Sequence, residues 1–332
     1  MTLLAGDIGG THSRLWIADW QEGRLHVHLE RRYRNADFRH LDEVVERFRD
    51  ESAAADEIEV ACLALAAPVR RAAEGESQQG VLTNLPWRYD NRSLEALLPG
   101  ARVVFINDFV AVGWALPWLE ADDTQLLRAG EPDPLAPCAA LGAGSGLGTV
   151  IALPVGERWQ VLASEGGHAD FAIGRHEEVP IVEALWREFG HASWERILSG
   201  PGLEFLHRLL KGDTTAPPLS APEISRAALE ERDPAAIAAL ERFCALYGAQ
   251  AGNLALTVLP FRGLYLAGGI APQVLRGRFL DVFLARFLDK GRMRPLLEKT
   301  PLHLITSDRS GLLGAASYAR YLRQRTSTSH AV

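Results

Sequence analysis

Cysteine is scarce in this chain of 332 residues. Only Cys62, Cys138 and Cys244 are present, far apart in sequence and in apolar or alanine-rich surroundings typical of core positions. No pair has the CxxC spacing of a zinc site, which leaves a structural metal with little support. An odd number of isolated thiols favours a reduced compartment, so we expect a cytoplasmic protein.

Positive charge and long apolar runs are also in short supply. Lys and Arg number 35 against 42 Asp and Glu, which gives a formal net charge of -7. The arginines are scattered, so we expect no nucleic-acid surface, and any bound phosphate must be neutralised locally. No membrane span is visible, and Asp7 interrupts the first residues where a secretion signal needs an unbroken apolar core. We therefore expect neither a membrane nor a nucleic acid as partner.

The pair Gly-Lys occurs nowhere, which excludes a Walker phosphate loop. Glycine itself is abundant, and two clusters, residues 6–11 and 142–149, lie between apolar, strand-like runs. Neither has GxGxxG spacing with a helical pattern behind it, so a dinucleotide fold is disfavoured. Each pattern indicates a glycine hairpin whose backbone N–H groups can approach a polyanion, with Thr11, Ser145 or Thr149 as hydroxyl donors. Although one such hairpin is usually only a turn, two indicate phosphate held from two sides.

Length and periodicity predict two α/β lobes. Apolar residues at i, i+3, i+4 and i+7 predict a helix over 41–48, and Asp233-Pro234 begins a long one. Apolar runs predict strands, and helical spacing predicts helical structure over 272–287 and a terminal helix over 311–322. The predicted strands are 58–66, 102–106, 264–267 and 302–305.

Polar residues follow one of these strands directly. Asn107 and Asp108 come after the strand 102–106, and ligands gather at the carboxyl ends of strands in open α/β sheets. An Asp at such a position also caps a following helix often. Spacing alone favours capping and catalysis equally.

Two further segments carry carboxylates. Glu165 and His168 flank a Gly-Gly turn, which favours hydrogen bonding to a polyol over a zinc site, because HExxH and additional ligands are absent. Glu195 precedes a glycine and proline stop. By itself, Glu195 fits a solvated surface pair with Arg196 equally well.

Together these motifs resemble those of the bacterial glucokinases, within the hexokinase, actin and large heat-shock ATPase superfamily. Residues 6–11 and 142–148 resemble the two phosphate motifs, 106–109 the catalytic strand end, 165–168 and 195–202 the sugar-binding segments, and 266–270 the adenosine motif. The resemblance implies a two-lobed actin-like ATPase (RNase H-like) α/β fold, with duplicated mixed-sheet domains and a cleft between them. It implies a small lobe of residues 1–108 plus 311–332 and a large lobe of residues 109–310.

The resemblance also implies an ATP-dependent hexose kinase that converts D-glucose to glucose 6-phosphate for glycolysis. Asp108 is the implied catalytic base, Mg²⁺ arrives with ATP and meets Asp7 through water, and the enzyme is a homodimer. The implied sugar-binding residues are Asn84, Asn107, Asp108, Glu165, His168 and Glu195. The implied nucleotide-binding residues are Gly6, Asp7, Ile8, Gly9, Gly10, Thr11, Gly144, Ser145, Gly146, Gly268 and Gly269.

Some positions depart from the family pattern. His12 stands where Asn is common and Ser145 where Thr is usual, and segment 68–71 lacks a glycine often found after its proline. The cysteine-rich zinc motif of the related repressor, open-reading-frame and kinase group is missing, which favours the glucokinase branch.

The alternatives are a kinase of fructose, mannose or an amino sugar, an actin-like assembly ATPase, and a sugar-sensing regulator. The regulator would need a basic helix-turn-helix before the first glycine motif, which we do not expect in this chain.

Overall fold

The computed structural model describes residues 2–52, 57–69, 77–212 and 217–329. Contacts divide the chain into two compact units. The first comprises Met1–Leu119, Gly156–Val161 and Ser307–Val332, and the second comprises Glu120–Val155 and Leu162–Thr306. The lobe boundaries expected at 108/109 and 310/311 stay a prediction. In segment 68–71, which departs from the family pattern, Arg70 and Arg71 lie outside the described residues.

The described residues form thirteen strands and eleven α-helices. In chain order they are β1 (Thr2–Ile8), β2 (His12–Gln21), β3 (Arg24–Arg34), α1 (Leu41–Asp50), β4 (Ile58–Leu65), β5 (Gln79–Val81), β6 (Arg88–Asp90), α2 (Asn91–Leu97), β7 (Arg102–Asn107), α3 (Asp108–Ala115), β8 (Thr124–Arg128), β9 (Cys138–Ala143), β10 (Leu147–Val155), β11 (Arg158–Ser164), α4 (Val179–Phe189), α5 (Gly200–Lys211), α6 (Ala221–Leu229), α7 (Pro234–Val258), β12 (Gly263–Ala267), α8 (Ala271–Val274), α9 (Gly277–Leu288), α10 (Arg294–Lys299), β13 (Leu302–Ile305) and α11 (Ser310–Ser329).

The first unit is built on a five-stranded sheet with strand order β3-β2-β1-β4-β7. Strand β1 pairs antiparallel with β2 and parallel with β4. Its side chains alternate between two buried faces, because Leu4 and Ile8 pack with α1 residues such as Phe48, whereas Leu3 packs with α11 residues such as Ala315. The sheet is thus covered on both faces, which explains why β1 and β4 are apolar almost throughout.

The second unit is built on a sheet in which β10, β9, β12, β13 and β8 follow one another in that order. Helix α7 supplies Phe243 and Tyr247 to a core that also contains Leu141 and Leu266 from the sheet. The buried Tyr247 hydroxyl donates a hydrogen bond to the Leu141 carbonyl oxygen at 3.1 Å. This bond fixes the long helix against strand β9.

Both predicted glycine hairpins are confirmed. Strands β1 and β2 flank a turn at residues 9–11, and β9 and β10 flank a turn at residues 144–146. The expected helices at 41–48 and from Pro234, and the strands at 58–66, 102–106, 264–267 and 302–305, are also present, with ends shifted by a few residues. The three cysteines are buried and unpaired.

The helical segment predicted over 272–287 is present, but as two helices. The chain forms α8 and α9 with a break at Leu275 and Arg276, and Gly277 has φ of 50°, in the left-handed region that glycine favours. The apolar period runs through the break because both helices pack Val274 and Phe279 into the same core. The terminal helix is longer than expected and continues to Ser329. No helix in the described parts of the chain is both long and apolar enough to cross a membrane.

Candidate functional site in each unit

The first glycine turn is held by a residue that sequence reasoning missed. Asn35, 2% exposed, donates its backbone N–H to the Thr11 carbonyl at 2.9 Å and its Nδ2 to the Gly9 carbonyl at 2.8 Å. Its Oδ1 accepts a hydrogen bond from Ser13 Oγ at 2.8 Å. These bonds fix both ends of the turn and leave the Thr11 side chain exposed. Nothing in the sequence around Asn35 marks it, because its partners lie more than twenty residues away.

A partly buried ion pair lies directly before the turn. Asp7 and Arg14 face each other across β1 and β2, with 2.9 Å between Oδ2 and Nη2. Arg14 also pairs with the carboxylate of Asp308 at 2.5 Å. Burial raises the pKa of Asp7, and the charge of Arg14 opposes that rise. The cross-strand register of the predicted hairpin could have identified Arg14, but no local signal marks Asp308.

Helix α11 begins against the same carboxylate. A Cβ placed on Gly311 would lie 2.8 Å from Asp7 Cγ, so only glycine permits this approach. The positive end of the helix dipole then faces an acidic side chain, which is a favourable arrangement. On the other side of the turn, a Cβ on Gly10 would lie 3.3 Å from Asn84 Cβ, which places the predicted sugar residue Asn84 beside the turn.

Asp108 and Asn107 have distinct roles at the start of α3. Asn107, not Asp108, is the N-cap, because its Oδ1 accepts hydrogen bonds from the backbone N–H groups of Phe109 and Val110 at 2.9 and 3.2 Å. The Asp108 Oδ1 accepts from Asn107 Nδ2 at 2.9 Å and from Phe109 N at 2.8 Å. Among the described residues no hydrogen bond engages Oδ2, so this oxygen is available to a ligand.

The ionisation of Asp108 suits proton transfer. Its surface is accessible, but partial removal of the carboxyl from water raises the pKa to about 6, with a further rise from the charge of Asp7. The hydrogen bonds from Phe109 and Asn107 act in the opposite direction. A carboxylate with a pKa near neutrality that is still ionised at pH 7 can accept a proton from a hydroxyl.

The second glycine turn carries no charged residue of its own. Gly144 N donates to the Gly146 carbonyl at 2.8 Å, and Gly200 N donates to the Gly144 carbonyl at 2.8 Å. Ser145 is exposed at the tip, whereas Thr149 is buried within β10. Gly268 has φ of 82°, and a Cβ there would overlap the Ala143 carbonyl oxygen, so the predicted adenosine motif lies against this hairpin.

The sugar-binding candidates of the second unit lie together. The backbone N–H of Glu195 donates a hydrogen bond to the Gly167 carbonyl at 2.8 Å, which holds Glu195 beside the turn Gly166–His168. His168 Nδ1 lies 3.7 Å from Glu195 Oε1, and its Nε2 lies 3.8 Å from Glu165 Oε2. The Glu165, His168 and Glu195 side chains are 90%, 59% and 30% exposed, so all three groups are accessible to a ligand. Among the described residues, no ion pair joins Glu195 to Arg196, contrary to the alternative of a surface pair.

The predicted sugar residues are thus divided between the units. Asn84, Asn107 and Asp108 belong to the first, and the three residues around the Gly166–His168 turn belong to the second. That all of them bind one sugar stays a prediction.

Comparisons with known proteins agree with the family resemblance. A family model described as Glucokinase matches residues 4–322. The glucokinase of Tolumonas auensis is 37% identical over 320 residues, covering 96% of this chain and 97% of the relative. The chain therefore matches this relative over nearly its whole length.

Solved structures give the same result for the fold. The glucokinase from an Antarctic psychrotroph superimposes with a TM-score of 0.83 at 30% identity and covers 96% of this chain and 99% of its own. A glucokinase of the repressor, open-reading-frame and kinase group from Streptomyces griseus, solved with glucose and AMPPNP, has a TM-score of 0.60 at 21% identity, with 97% and 100% coverage. The expected actin-like α/β fold class is confirmed.

Proposed function

The chain belongs to the glucokinase family, and from this premise we propose that it transfers the terminal phosphoryl group of ATP to the 6-hydroxyl of D-glucose. The products are glucose 6-phosphate and ADP. The family match over residues 4–322 supports a sugar kinase. The observation that carries the chemistry is Asp108, whose Oδ1 is held by two hydrogen bonds while Oδ2 stays open.

Asp108 acts as the general base in this proposal. The 6-hydroxyl donates its proton to Oδ2 as its oxygen bonds to the terminal phosphorus of ATP, and the bond between that phosphorus and the bridging oxygen breaks to release ADP. Because the transition state is loose, the protein contributes mainly by positioning the reactants and stabilising charge. Asn107 orients the base through its 2.9 Å bond to Oδ1.

The sugar is recognised by neutral and acidic acceptors. Glu165, His168 and Glu195 bind ring hydroxyls in the second unit, and Asn84 and Asn107 bind hydroxyls in the first. Carboxylates and amides accept from or bridge adjacent hydroxyls, and a wrong epimer leaves one of these partners unpaired. Specificity for glucose follows from that penalty.

The nucleotide is bound by backbone groups. The N–H groups of residues 9–11 and 144–146 donate to phosphate oxygens, and Gly268 and Gly269 lie against the adenosine. Glycine at these positions allows the backbone to approach the ligand closely. Thr11 and Ser145 add hydroxyl donors, since both side chains are exposed at their turns.

Asp7, directly before the first turn, fits a magnesium ion that is held mainly by ATP and that meets this carboxylate through water. No group of three or more His, Cys, Asp or Glu within the described ranges could hold a metal by itself. Mg²⁺ in kinases is commonly held by one or two carboxylates, substrate phosphates and water. Asp7 suits the carboxylate role, because Arg14 engages Oδ2 and no hydrogen bond of the described residues engages Oδ1. When bound, Mg²⁺ neutralises charge that develops on the transferred phosphoryl group.

A hexose panel with several phosphoryl donors tests this function. Glucose, fructose, mannose and glucosamine are each assayed with ATP and with polyphosphate. We expect glucose with ATP to give the highest kcat/KM. A higher value for another hexose would assign that sugar instead, and no turnover of any hexose would refute the kinase.

We further propose that the protein is a cytoplasmic homodimer. Three free cysteines, all buried, suit a reduced compartment. Sedimentation of the purified protein measures the assembly state, and a single species of the 36.4 kDa chain mass would contradict the dimer.

A further inference from the structure

We propose that Glu195 couples sugar binding to the second glycine turn and so positions the nucleotide. This inference rests on the proposed function. The two oxygens of the carboxylate face different parts of the unit. Oε2 accepts a hydrogen bond from Leu147 N at 3.0 Å, at the end of the turn, while Oε1 lies 3.7 Å from His168 Nδ1.

The backbone around Glu195 strengthens this connection. Its N–H donates to the Gly167 carbonyl at 2.8 Å, and a Cβ on Gly167 would overlap the Leu147 carbonyl oxygen. Leu147 is therefore in contact with the sugar-binding turn on one side and the Glu195 carboxylate on the other.

The start of the turn is connected to the same segment. Ser199 Oγ donates to the Glu195 carbonyl at 2.8 Å, and the next residue, Gly200, donates its N–H to the Gly144 carbonyl at 2.8 Å. Both ends of the turn at residues 144–146 are thus bonded to residues 195–200. A displacement of this segment must move the turn.

These bonds make sugar and nucleotide binding cooperative. The Glu195 side chain is 30% exposed, so the sugar-free carboxylate retains some rotational freedom. A sugar hydroxyl that donates to Oε1 fixes the carboxylate plane and with it the direction of Oε2. The turn is then already ordered when the phosphates bind, and the nucleotide loses less conformational freedom. Reciprocity requires that nucleotide raise sugar affinity by the same factor.

Gly146 offers a test that removes no polar group. A Cβ on Gly146 would lie 2.6 Å from Glu195 Oε2, so Gly146→Ala must displace the carboxylate. Gly144 lies in the same turn, and a Cβ there would meet no atom within 4 Å. Gly144→Ala is therefore the matched control for the carboxylate contact.

The experiment measures binding by calorimetry in the full-length protein with Mg²⁺. D-Glucose and AMPPNP are titrated separately, and AMPPNP is then titrated in saturating glucose. We expect wild-type affinity for AMPPNP to rise about fivefold or more with glucose. Gly146→Ala should weaken glucose binding in the absence of nucleotide about tenfold, the loss typical of a disrupted charged hydrogen bond, and bring the AMPPNP enhancement close to one. Gly144→Ala changes the phosphate-binding turn but not the Glu195 contact, so glucose affinity in the absence of nucleotide should stay within about twofold of wild type.

A second pair of variants keeps the test decisive if Gly146→Ala does not fold. Glu195→Asp shortens the side chain by one methylene and cannot span both sites, so the enhancement should fall to about one. Glu195→Gln keeps an oxygen that can accept from Leu147 N, so it should retain more of the enhancement than Glu195→Asp. Full enhancement in Glu195→Asp, or unchanged glucose affinity in a folded Gly146→Ala, would overturn the coupling. If the wild-type protein binds no glucose at all, the proposed function fails rather than this inference.

Discussion

The two glycine hairpins share a strand–turn–strand backbone but are held by different kinds of side chain. Asn35 holds the first through a neutral, buried amide. Glu195 holds the second through a charged carboxylate that is partly exposed beside His168. The first hairpin is therefore fixed independently of ligands, whereas the second is held by a group that a sugar can also engage.

The difference extends to charge. The first hairpin contains Asp7, which Arg14 neutralises at 2.9 Å, and Asp108 lies close enough for Asp7 to raise its pKa. The second turn contains only glycine and serine at residues 144–146. In the proposed mechanism, the first unit supplies the reacting carboxylate, and the second supplies the coupling between the ligands.

The largest expected effect is the loss of turnover on removing the proposed base, which separates catalysis by the first unit from coupling by the second. Asp108→Asn should lower kcat about 10³-fold, within the range for loss of a general base, while glucose still binds. This is the reverse of the pattern expected for Glu195→Asp, which should alter binding and cooperativity first. A coupled assay measures turnover, and calorimetry measures the affinity for glucose. Turnover within about tenfold of wild type would show that Asp108 is not the base.

Breaking the ion pair at the first hairpin tests whether that hairpin depends on charge neutralisation. Arg14→Met leaves Asp7 without its partner, and the side chains of both residues are only about 20% exposed. We expect the free energy of unfolding of the first unit to fall by about 3 kcal/mol. Hydrogen exchange of the β1 and β2 amides, followed by mass spectrometry, measures the loss in that unit.

A surface pair in the same unit provides the control. Arg47 is 64% exposed and pairs with Glu51 at 2.5 Å. Arg47→Met should change the free energy of unfolding by about 0.5 kcal/mol or less. An equal effect of the two substitutions would contradict a special role for the pair at the hairpin.

Removing the amide at residue 35 tests the independence of the first hairpin directly. Asn35→Ala loses the bonds to Gly9 and Ser13 and should cost about 2 kcal/mol of stability. It should weaken AMPPNP binding severalfold but leave glucose affinity within about twofold of wild type. Ser13→Ala removes only one of the bonds and should keep AMPPNP affinity within about twofold. A parallel loss of glucose affinity in Asn35→Ala would remove the contrast between the hairpins.

Sequence reasoning succeeded where the determinants were local. Apolar runs on both sides of a glycine turn define each hairpin, and the 3.6-residue period defines α1, so neighbouring residues suffice for both. It failed where contacts join distant segments. Asn35 and Gly9 are 26 residues apart, Glu195 and Leu147 are 48 apart, and Arg14 and Asp308 are 294 apart. The break within the helical segment 272–287 was not foreseen for another reason, because apolar spacing does not encode the backbone conformation of Gly277.

The smallest expected effect is the pH dependence that the first unit imposes on turnover. With a folded-state pKa of about 6, Asp108 becomes protonated as the pH falls below that value, so kcat/KM should decline on the acid side with an apparent pKa of about 6. The free energy of unfolding should change in the opposite direction to the activity as the pH falls. The pKa of Asp108 is raised from 3.8 in the folded protein, so the folded protein binds the proton more tightly than the unfolded chain and protonation of this carboxyl stabilises the fold. Asp108→Asn should therefore be more stable than wild type above about pH 6, with the difference shrinking as the pH falls towards 3.8.

Denaturant titrations of both proteins at several pH values measure this difference, and a kcat/KM profile of the wild type measures the activity limb. A decline in activity that coincided with a loss of wild-type stability relative to Asp108→Asn would assign the pH limb to unfolding instead of to the base. The opposite signs arise because burial disfavours the ionised form of Asp108, which is the form that the proposed reaction requires. The ionised Asp108 therefore lowers the free energy of unfolding of the first unit.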